Sequence, residues 1–379
     1  MKKSILTYSF TILIVIFWSN SIIVGAETYN TWQVDNISFS KVSHLTEGNG
    51  EEVIIALIDS GIDYTHQEFS KDLLWENPGE IKDNGIDDDG NGYIDDIRGW
   101  DFVENDPDTK PVFTGKDNNG DGRADEKIHH ATFIAGILAG KGKNMPRGFV
   151  PKIKVLDLRI LNTDGIVAGD REAPWRYVID LVDRGFPIKV LSYSIDNGGP
   201  EETFLDNYIG NLTEKGVIVA AIAGNSYNSD RTVHYPGSHP DVVAVGSVNE
   251  FNEISQFSRH DSNLTIVAPG EKVYSAVLDN QYIEDSGTSF ATPFVAGSIA
   301  FLWSLQPNLN RSTIISLIKN STTDLGDSGY DTTYGYGLLN VTKLLLDAGV
   351  DISNKNVSGF SMVLIYTTLV SIVVLKRKK

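Results

Sequence analysis

The stretch VIIALIDSGID, residues 53–63, is the part of this 379-residue chain that decides its fold. It begins with Val53–Ile58, an unbroken run of apolar residues, and Asp59 follows that run directly. Unbroken apolar runs of this length are typical of strands that are buried on both faces, as they are in parallel sheets. A carboxylate at the exit of such a strand lies where the functional residues of open α/β sheets collect. A single Asp at this place can also serve only to cap a turn.

Runs rich in β-branched residues, several of them unbroken and apolar, recur along the chain and alternate with stretches of helical spacing. The further runs are Lys154–Leu158, Ile188–Leu191, Val217–Ala221, Val242–Val245 and Thr265–Val267. Between them, Ala173–Arg184 and Phe204–Lys215 have the spacing of helices that cover a sheet. Because strands that alternate with helices form parallel sheets, the sequence predicts an α/β fold: a doubly wound, mostly parallel sheet flanked by helices in a single domain.

The composition is that of a globular protein, and it limits the classes of partner. Hydrophobic residues make up 41% of the chain and charged residues 22%, so a folded core is expected. The formal net charge of −18 argues against nucleic acid as a partner, because a polyanion is repelled unless a local basic patch exists, and the body of the sequence has no basic run. The absence of cysteine excludes disulfides, thiol nucleophiles and thiolate metal sites.

Two further motifs carry residue types that suit nucleophilic catalysis. HHATFIAG, residues 129–136, contains His130, and SGTSFATPFVAG, residues 286–297, contains Ser289 at the start of a predicted helix that ends near Leu305. A serine there can simply be the helix N-cap. The same helix end supplies N–H groups and a positive dipole, which stabilise an oxyanion formed beside the serine. The chain order Asp, His, Ser differs from the orders found in chymotrypsin-like enzymes and α/β-hydrolases.

In this order and spacing, the motifs resemble those of the subtilase family of serine endopeptidases, and the resemblance runs from about Trp32 to about Ala348. It implies a subtilisin-like fold with one catalytic domain, and peptide or protein substrates. It also implies that Ser289 is the nucleophile, that His130 is the general base, and that Asp59 orients the imidazole.

A fourth motif, VIVAAIAGNS at residues 217–226, matches the oxyanion donor of the same family. Read alone, its Gly-Asn pair after a strand is more often a turn. The resemblance implies that the side-chain amide of Asn225 is directed at the oxyanion of the tetrahedral intermediate. We therefore expect hydrolysis of peptide bonds through an acyl-enzyme, with Asp59, His130, Ser289 and Asn225 as the catalytic residues.

The chain departs from the family pattern beside the histidine. The family motif is His-Gly-Thr-His-Val-Ala-Gly, and here Ala131 replaces its glycine and Phe133 replaces its second histidine. The methyl group of Ala131 is expected to narrow the cleft, whereas His129 has no role by analogy. Two alternatives without catalysis stay open. One is an inactive, calcium-binding surface protein on the same scaffold, and the other is a membrane-linked regulator that binds peptides without cutting them.

By the same resemblance, the substrate lies against the backbone of Ser194-Ile195 and of Ala221–Gly224. The first segment departs from the family's Ser-Leu-Gly-Gly, because Asp196 and Asn197 precede the two glycines. His234 stands where the family has a small residue at the base of the primary substrate pocket. A bulkier, polar pocket floor predicts narrow specificity.

Two acidic, glycine-containing loops have the spacing of calcium-binding loops. DDDGNGYID spans residues 87–95, and DNNGDGRAD spans residues 117–125. Oxygen-bearing side chains at alternate positions, with a glycine for the sharp turn, suit a hard cation such as Ca²⁺. Neither loop has the glutamate expected at its twelfth position, and both can also be solvated surface turns. The predicted calcium ligands are Asp87, Asp89, Asn91 and Asp95 in the first loop and Asp117, Asn119, Asp121 and Asp125 in the second.

Both ends of the chain predict export to the cell surface. Residues 1–26 have the charged, apolar and small-residue order of a secretory signal peptide, although an uncleaved anchor has a similar pattern. Residues 359–375 are apolar and precede the basic residues 376–379, which predicts a short membrane span with a cytoplasmic tail. A buried core helix is the alternative for this segment. These assignments leave 27–350 as a subtilisin-like peptidase domain outside the membrane and 351–358 as a polar linker.

The expected position at the cell surface bears on the biological role. Residues 27–58, between the predicted cleavage site and Asp59, are too few for a propeptide domain, since chains below roughly 40 residues rarely fold alone. Together with the membrane segment, this favours a surface-tethered bacterial processing protease. Its architecture is similar to that of membrane-attached subtilases that trim the leader peptides of bacteriocins. A general degradative protease is the alternative.

Overall fold

The computed structural model describes residues 30–47, 50–111, 129–149, 153–199 and 202–353. Its helices are α1 (Trp32–Asn36), α2 (His130–Ala139), α3 (Ala173–Asp183), α4 (Asp206–Glu214), α5 (Thr288–Leu305), α6 (Arg311–Asn320) and α7 (Val341–Asp347). Its strands are β1 (Val53–Asp59), β2 (Gly99–Asp101), β3 (Ile153–Arg159), β4 (Ile188–Tyr193), β5 (Ile218–Ile222), β6 (Val242–Val248), β7 (Ile266–Pro269), β8 (Val273–Val277) and β9 (Gln281–Asp285). A short 3-10 helix spans Ser43–Glu47.

Seven of these strands form one sheet in the order β2-β3-β1-β4-β5-β6-β7. All neighbouring strands in it are parallel. From β1 the sheet extends through β3 to β2 on one side and through β4 to β7 on the other, so that the crossovers place helices on both faces. The predicted α/β fold is confirmed, and each predicted apolar run overlaps a strand of this sheet.

Strand β1 shows why the sheet is covered on both faces. All seven of its residues are buried, and successive side chains point to opposite faces. Val53, Ile55 and Leu57 pack into a core that includes residues of α2 and α5. The alternate residues Ile54 and Ile58 pack into a second core with residues of α3 and α4. An unbroken apolar run is therefore what this position in the fold requires.

Helix α5 is the central helix of the first core. Among the described residues it is the one helix that is long and apolar enough to cross a membrane, but 94% of it is buried inside the domain. Its burial identifies it as a core helix. Because α5 packs across β1 and β4–β7, its N-terminus lies beside the carboxyl ends of the central strands.

Some elements were not indicated by the apolar runs. Strand β2 adds three residues at one edge of the sheet, and β8 and β9 form a separate antiparallel hairpin that packs on α2. The predicted signal peptide, the apolar segment 359–375, the basic tail 376–379 and the loop 117–125 lie outside the described residues. Most of the predicted linker 351–358 does so too.

Candidate active site

The last residue of β1 and the first residue of α2 form a carboxylate–imidazole pair. Asp59 is fully buried, and its Oδ1 accepts a hydrogen bond from the Ser60 N–H at 2.7 Å. Nδ1 of His130 lies 2.8 Å from Oδ1 and 3.0 Å from Oδ2 of Asp59. A carboxylate at Nδ1 stabilises the tautomer that carries its proton there and leaves Nε2 as the accepting nitrogen. The imidazole is thus oriented as a base.

Two side-chain hydrogen bonds fix the start of α2 against the loop that follows β1. Ser60 Oγ accepts from the Ala131 N–H at 2.9 Å, and Thr132 Oγ1 accepts from the Asp63 N–H at 2.9 Å. The residue before the helix, His129, makes no side-chain capping bond. Ser60 therefore satisfies a backbone N–H of the first turn, as an N-cap residue does elsewhere. This docking places His130 beside Asp59.

Ser289 is the second residue of α5 and is 8% exposed. Its Oγ donates to the Ser194 carbonyl at 3.3 Å, so in this structure the hydroxyl is directed at the segment after β4. Pro293 in α5 has no N–H, and the Ser289 carbonyl, which would accept it, instead accepts from Ser194 Oγ at 3.1 Å. Two reciprocal bonds therefore tie the serine to the carboxyl end of β4.

Asn225 follows β5 and is oriented by the first residue of α5. Its Oδ1 accepts hydrogen bonds from both the backbone N–H and the Oγ1 of Thr288, each at 3.0 Å. With the amide oxygen held in this way, the Nδ2 hydrogens remain for a ligand in the cleft. An anion beside Ser289 would meet this donor and the positive end of α5 together.

A cavity of about 630 Å³ joins these groups. His130, Asn225 and Ser289 line it, together with Ser194, and Asp59 lies buried behind the imidazole. The structure thus brings all four predicted catalytic residues to the carboxyl ends of the parallel strands. Each arrives from a different element, as expected at this edge of an α/β sheet.

Ala131 and Phe133, the two residues beside His130 that differ from the family motif, lie in the core. Phe133 is fully buried, and its ring lies 4.2 Å from that of Phe290, whose centroid is 5.5 Å from the His130 ring. Ala131 is also fully buried and does not line the cavity. The expectation that its methyl group narrows the cleft is wrong, because the Cβ of this helical residue packs inward. The Phe133 ring therefore packs against the Phe290 ring, which in turn packs against the imidazole of His130.

Asp196 and His234, which differ from the family pattern around the predicted substrate pocket, contact each other. Nδ1 of His234 lies 2.7 Å from Oδ1 of Asp196, and this oxygen also accepts from the Gly198 N–H at 3.0 Å. Asp196 lines the cavity, whereas the His234 side chain is mostly buried behind it. Sequence reasoning identified both residues but had no means of pairing them, because they are far apart in the chain.

In the acidic loop 87–95, two of the predicted calcium ligands, Asp87 and Asp89, lie in one cluster of carboxylates. Among the described residues, carboxylate oxygens of Glu80, Asp87 and Asp89 lie within 4.8 Å of one another. Backbone N–H groups bond to both oxygens of Asp95, those of Asn84 and Gly85, and the Asn91 Oδ1 accepts from Tyr93. Both oxygens of Asp87 and of Glu80 accept backbone N–H groups in the same way. Glu80, which no spacing rule indicated, lies in the same cluster as Asp87 and Asp89. The second predicted loop, with Asp117, Asn119, Asp121 and Asp125, lies outside the described residues.

A further buried carboxyl group lies one strand away from Asp59. Asp157 on β3 is fully buried, and its Oδ2 accepts from the Ile62 N–H at 3.0 Å. Burial raises the pKa of Asp157 to about 7, and the nearby Asp59 adds to the rise. Sequence reasoning missed this group, since an Asp inside an apolar strand has no motif of its own.

Fold and site together define an α/β protein in which Asp, His and Ser meet at the carboxyl edge of a parallel sheet. The family model for the subtilase family matches residues 50–337, and the chain belongs to this family.

Curated relatives agree with this assignment. The thermophilic serine proteinase of Bacillus sp. (strain AK1) is 31% identical over 299 residues, 78% of this chain and 62% of that protein. Subtilisin E of Bacillus subtilis (strain 168) is 28% identical over 297 residues, 77% of this chain and 65% of subtilisin E. Subtilisin DY of Bacillus licheniformis is 33% identical over 232 residues, 60% of this chain and 80% of subtilisin DY. The chain thus spans less than two thirds of the length of the first two relatives.

Proposed function

We propose that the protein is a serine endopeptidase that hydrolyses peptide bonds through an acyl-enzyme. The observation that carries the proposal is the pair of short contacts, 2.8 and 3.0 Å, between Nδ1 of His130 and the buried carboxylate of Asp59. A buried carboxylate in this place stabilises an imidazolium, which forms only if His130 accepts a proton from a neighbouring group. Ser289, on the wall of the same cavity, is the hydroxyl that supplies this proton.

Each group has one task in the proposed reaction. Ser289 Oγ rotates from the Ser194 carbonyl and attacks the scissile carbonyl while His130 takes its proton. The resulting oxyanion accepts hydrogen bonds from Nδ2 of Asn225 and from the Ser289 backbone N–H. His130 then donates its proton to the leaving amine, and a water molecule hydrolyses the acyl-enzyme by the same route. Asp59 stays ionised and holds the imidazole throughout.

Hydrolysis of a peptide substrate tests this proposal. We expect the purified protein to cleave a peptide or casein, and Ser289→Ala to lower kcat by at least ~10⁴-fold because the nucleophile is lost. Ser262→Ala, at an exposed serine away from the cavity, is the matched control and keeps wild-type activity. Equal activity of the Ser289→Ala variant and the wild type would instead favour an inactive scaffold with a contaminating protease.

The proposed role is a surface-tethered processing protease, with peptide or protein substrates and no nucleic acid. The pattern of residues 1–26 supports export, and the apolar segment 359–375 with the basic tail 376–379 supports a membrane anchor. We expect the full-length protein to sediment with membranes and a chain ending at Ser358 to be released with its peptidase activity intact. Release of the full-length chain into the medium contradicts the anchor.

Calcium is the proposed structural ion, held by Glu80, Asp87 and Asp89. Ca²⁺ binds carboxylate oxygens at about 2.3–2.6 Å, so ligands around one ion lie up to about 5 Å apart, as the 4.8 Å limit of this cluster allows. The ion would neutralise charges that repel one another. We expect chelation to lower Tm, and Glu80→Gln to reduce the response to calcium. Glu250→Gln, at an exposed glutamate elsewhere, is the control and leaves the response unchanged. An equal response in both variants excludes Glu80 as a ligand.

A further inference from the structure

We infer that Asp196, held by His234, makes the protease selective for peptides with a lysine or arginine side chain just before the scissile bond. The inference rests on the proposed function and names its substrate class. Asp196 lies two residues beyond Ser194, whose carbonyl accepts the hydrogen bond of Ser289 Oγ at 3.3 Å. It also lines the cavity that contains Ser289 and Asn225. Because Ser289 and Asp196 line the same cavity, the inference places the side chain next to the scissile carbonyl against this carboxylate.

The carboxylate is held in place from both walls of the cleft. One wall is the segment after β4, where the Gly198 N–H donates to Oδ1 of Asp196 at 3.0 Å. The other is the segment around His234, whose Nδ1 lies 2.7 Å from the same oxygen. Backbone hydrogen bonds from Asn197 to the Tyr235 carbonyl and from Tyr235 to the Gly198 carbonyl join the two walls. The position of the charge is thus fixed before a substrate binds.

Among the described parts of the chain, hydrogen bonds reach only one oxygen of Asp196. Both hydrogen bonds go to Oδ1, and within the described residues Oδ2 has no hydrogen-bond partner. The side chain is 38% exposed, so solvent reaches it while the cleft is empty. A substrate side chain that fills the pocket removes this water, and the second oxygen then needs a donor from the substrate.

This requirement selects between classes of side chain. A cationic side chain donates to Oδ2 and balances the charge. An apolar side chain would bury the carboxylate without a partner, and an acidic one would be repelled. Sites with a buried polar group discriminate strongly for this reason, since the wrong substrate leaves that group unpaired.

Apart from His234, which contacts Asp196 directly, the charged groups near the cavity form no ion pair with Asp196 within the described residues. Arg171 lines the same cavity, but its guanidinium lies over the Phe204 ring, 5.9 Å from the centroid, and within the described residues no ion pair joins it to Asp196. Asp285, on the same wall as Ser289, adds a second negative charge near His129, at 3.9 Å. The formal net charge of −18 of the whole chain attracts cationic peptides as well.

Blocked peptide anilides that differ only in the residue before the scissile bond test the inference. For the wild type we expect kcat/KM for arginine and lysine to exceed that for leucine or glutamate at least ~100-fold. Asp196→Asn keeps the shape of the side chain and should reduce the ratio of arginine to leucine to below about tenfold. It should raise kcat/KM for the leucine substrate, because a neutral amide removes the penalty of burying an unpaired carboxylate. Asp327→Asn, at an exposed aspartate away from the cavity, removes the same charge and should leave the ratio unchanged.

Failure of the inference can be told apart from failure of the proposed function. A protein that cleaves the leucine substrate as well as the arginine substrate overturns the inference and leaves the peptidase intact. The inference is also overturned if Asp196→Asn and Asp327→Asn change the ratio of kcat/KM for arginine to that for leucine by the same factor. If no anilide is cleaved, binding of the uncleaved peptides to the Ser289→Ala variant decides. Tighter binding of the arginine peptide, by tenfold or more and lost in Ser289→Ala/Asp196→Asn, supports the inference, and equal binding of both peptides overturns it.

Discussion

At the scale of single residues, the site depends on side chains that are oriented by their neighbours. Asn225 is an example, because the two hydrogen bonds from Thr288 occupy its amide oxygen and turn its nitrogen towards the cleft. The nitrogen and the oxygen of an Asn side chain can exchange places by rotation of the amide. The donor role of Asn225 therefore depends on Thr288, which fixes the oxygen. The sequence motif predicted Asn225 as a donor, whereas the contribution of Thr288 follows only from the contacts.

Substitution of the oxyanion donor gives a graded prediction. Asn225→Ala is expected to lower kcat by about 10²–10³-fold with little change in KM, which is the loss in kcat seen when the relative subtilisin loses such a donor. Thr288→Val keeps the backbone hydrogen bond to Asn225 and removes the hydroxyl bond, so its loss should stay below about tenfold. Steady-state kinetics on one anilide substrate measure both. A change of less than threefold in Asn225→Ala contradicts the assigned role.

The buried Asp157 predicts a pH dependence of stability. Its pKa is about 7 in the folded protein, against 3.8 for an exposed Asp, so the folded state binds more protons between these pH values. The contribution of Asp157 is therefore most favourable below about pH 4, and it falls as the pH rises to about 7. At neutral pH, Asp157 lowers the free energy of unfolding by on the order of a few kcal/mol relative to pH 4.

Asp157→Asn removes this titration and keeps an acceptor for the Ile62 N–H. We expect the free energy of unfolding of the wild type, minus that of Asp157→Asn, to decrease steadily from pH 4 to pH 7. Urea titrations of both proteins across this range measure the difference. A difference that stays constant or grows with pH shows that the folded protein does not retain the proton on Asp157.

At the scale of elements, the docking of α2 on the exit of β1 is what brings base and carboxylate together. Ser60 acts as the cap for a helix whose own preceding residue, His129, gives no side-chain cap. Helix α6 has an ordinary cap, since Asn310 Oδ1 accepts from the Thr313 N–H at 2.9 Å. Both caps satisfy a helix N–H, but only the first also positions the proposed general base, His130.

Removal of the two caps separates stability from activity. Ser60→Ala and Asn310→Ala should each lower the free energy of unfolding by about 0.5–2 kcal/mol, because a helix N–H loses its acceptor. Only Ser60→Ala should also reduce kcat, by roughly tenfold or more for a shift of about 1 Å in the position of His130. Denaturant titrations and anilide kinetics on the same preparations test this. Equal activity of both variants shows that the cap does not position the imidazole.

The elements also show which features a sequence can predict. The six strand-forming runs of the central sheet were predictable because burial on both faces favours apolar residues at most positions, although Lys154, Asp157 and Lys189 interrupt two of them. Strand β9 was not predictable, because it is exposed at most positions and carries the polar residues Gln281 and Asp285. Glu80 was missed as a proposed calcium ligand for a related reason, since the fold, and no local spacing rule, brings it to Asp87 and Asp89.

At the scale of the whole molecule, the parallel sheet brings the residues of the site together at one edge. Asp59 ends β1, and Ser194 and Asn225 follow β4 and β5 at the same edge of the sheet. Helices α2 and α5 bring His130 and Ser289 to it. The four motifs predicted this set, because each combines an apolar strand or helix with a reactive side chain. Pairings across the cleft, such as the one between His234 and Asp196, could not be predicted, since they depend on how loops of distant strands meet.

The most direct test of the central claim is the mass of the peptide that carries Ser289 after treatment with a fluorophosphonate probe. A working Asp59–His130 pair makes Ser289 the most nucleophilic hydroxyl of the protein, so we predict one stoichiometric adduct on Ser289. We predict that His130→Ala slows its formation at least ~10³-fold. The account is contradicted if Ser289 stays unmodified while the protein is folded, or if His130→Ala reacts as fast as the wild type.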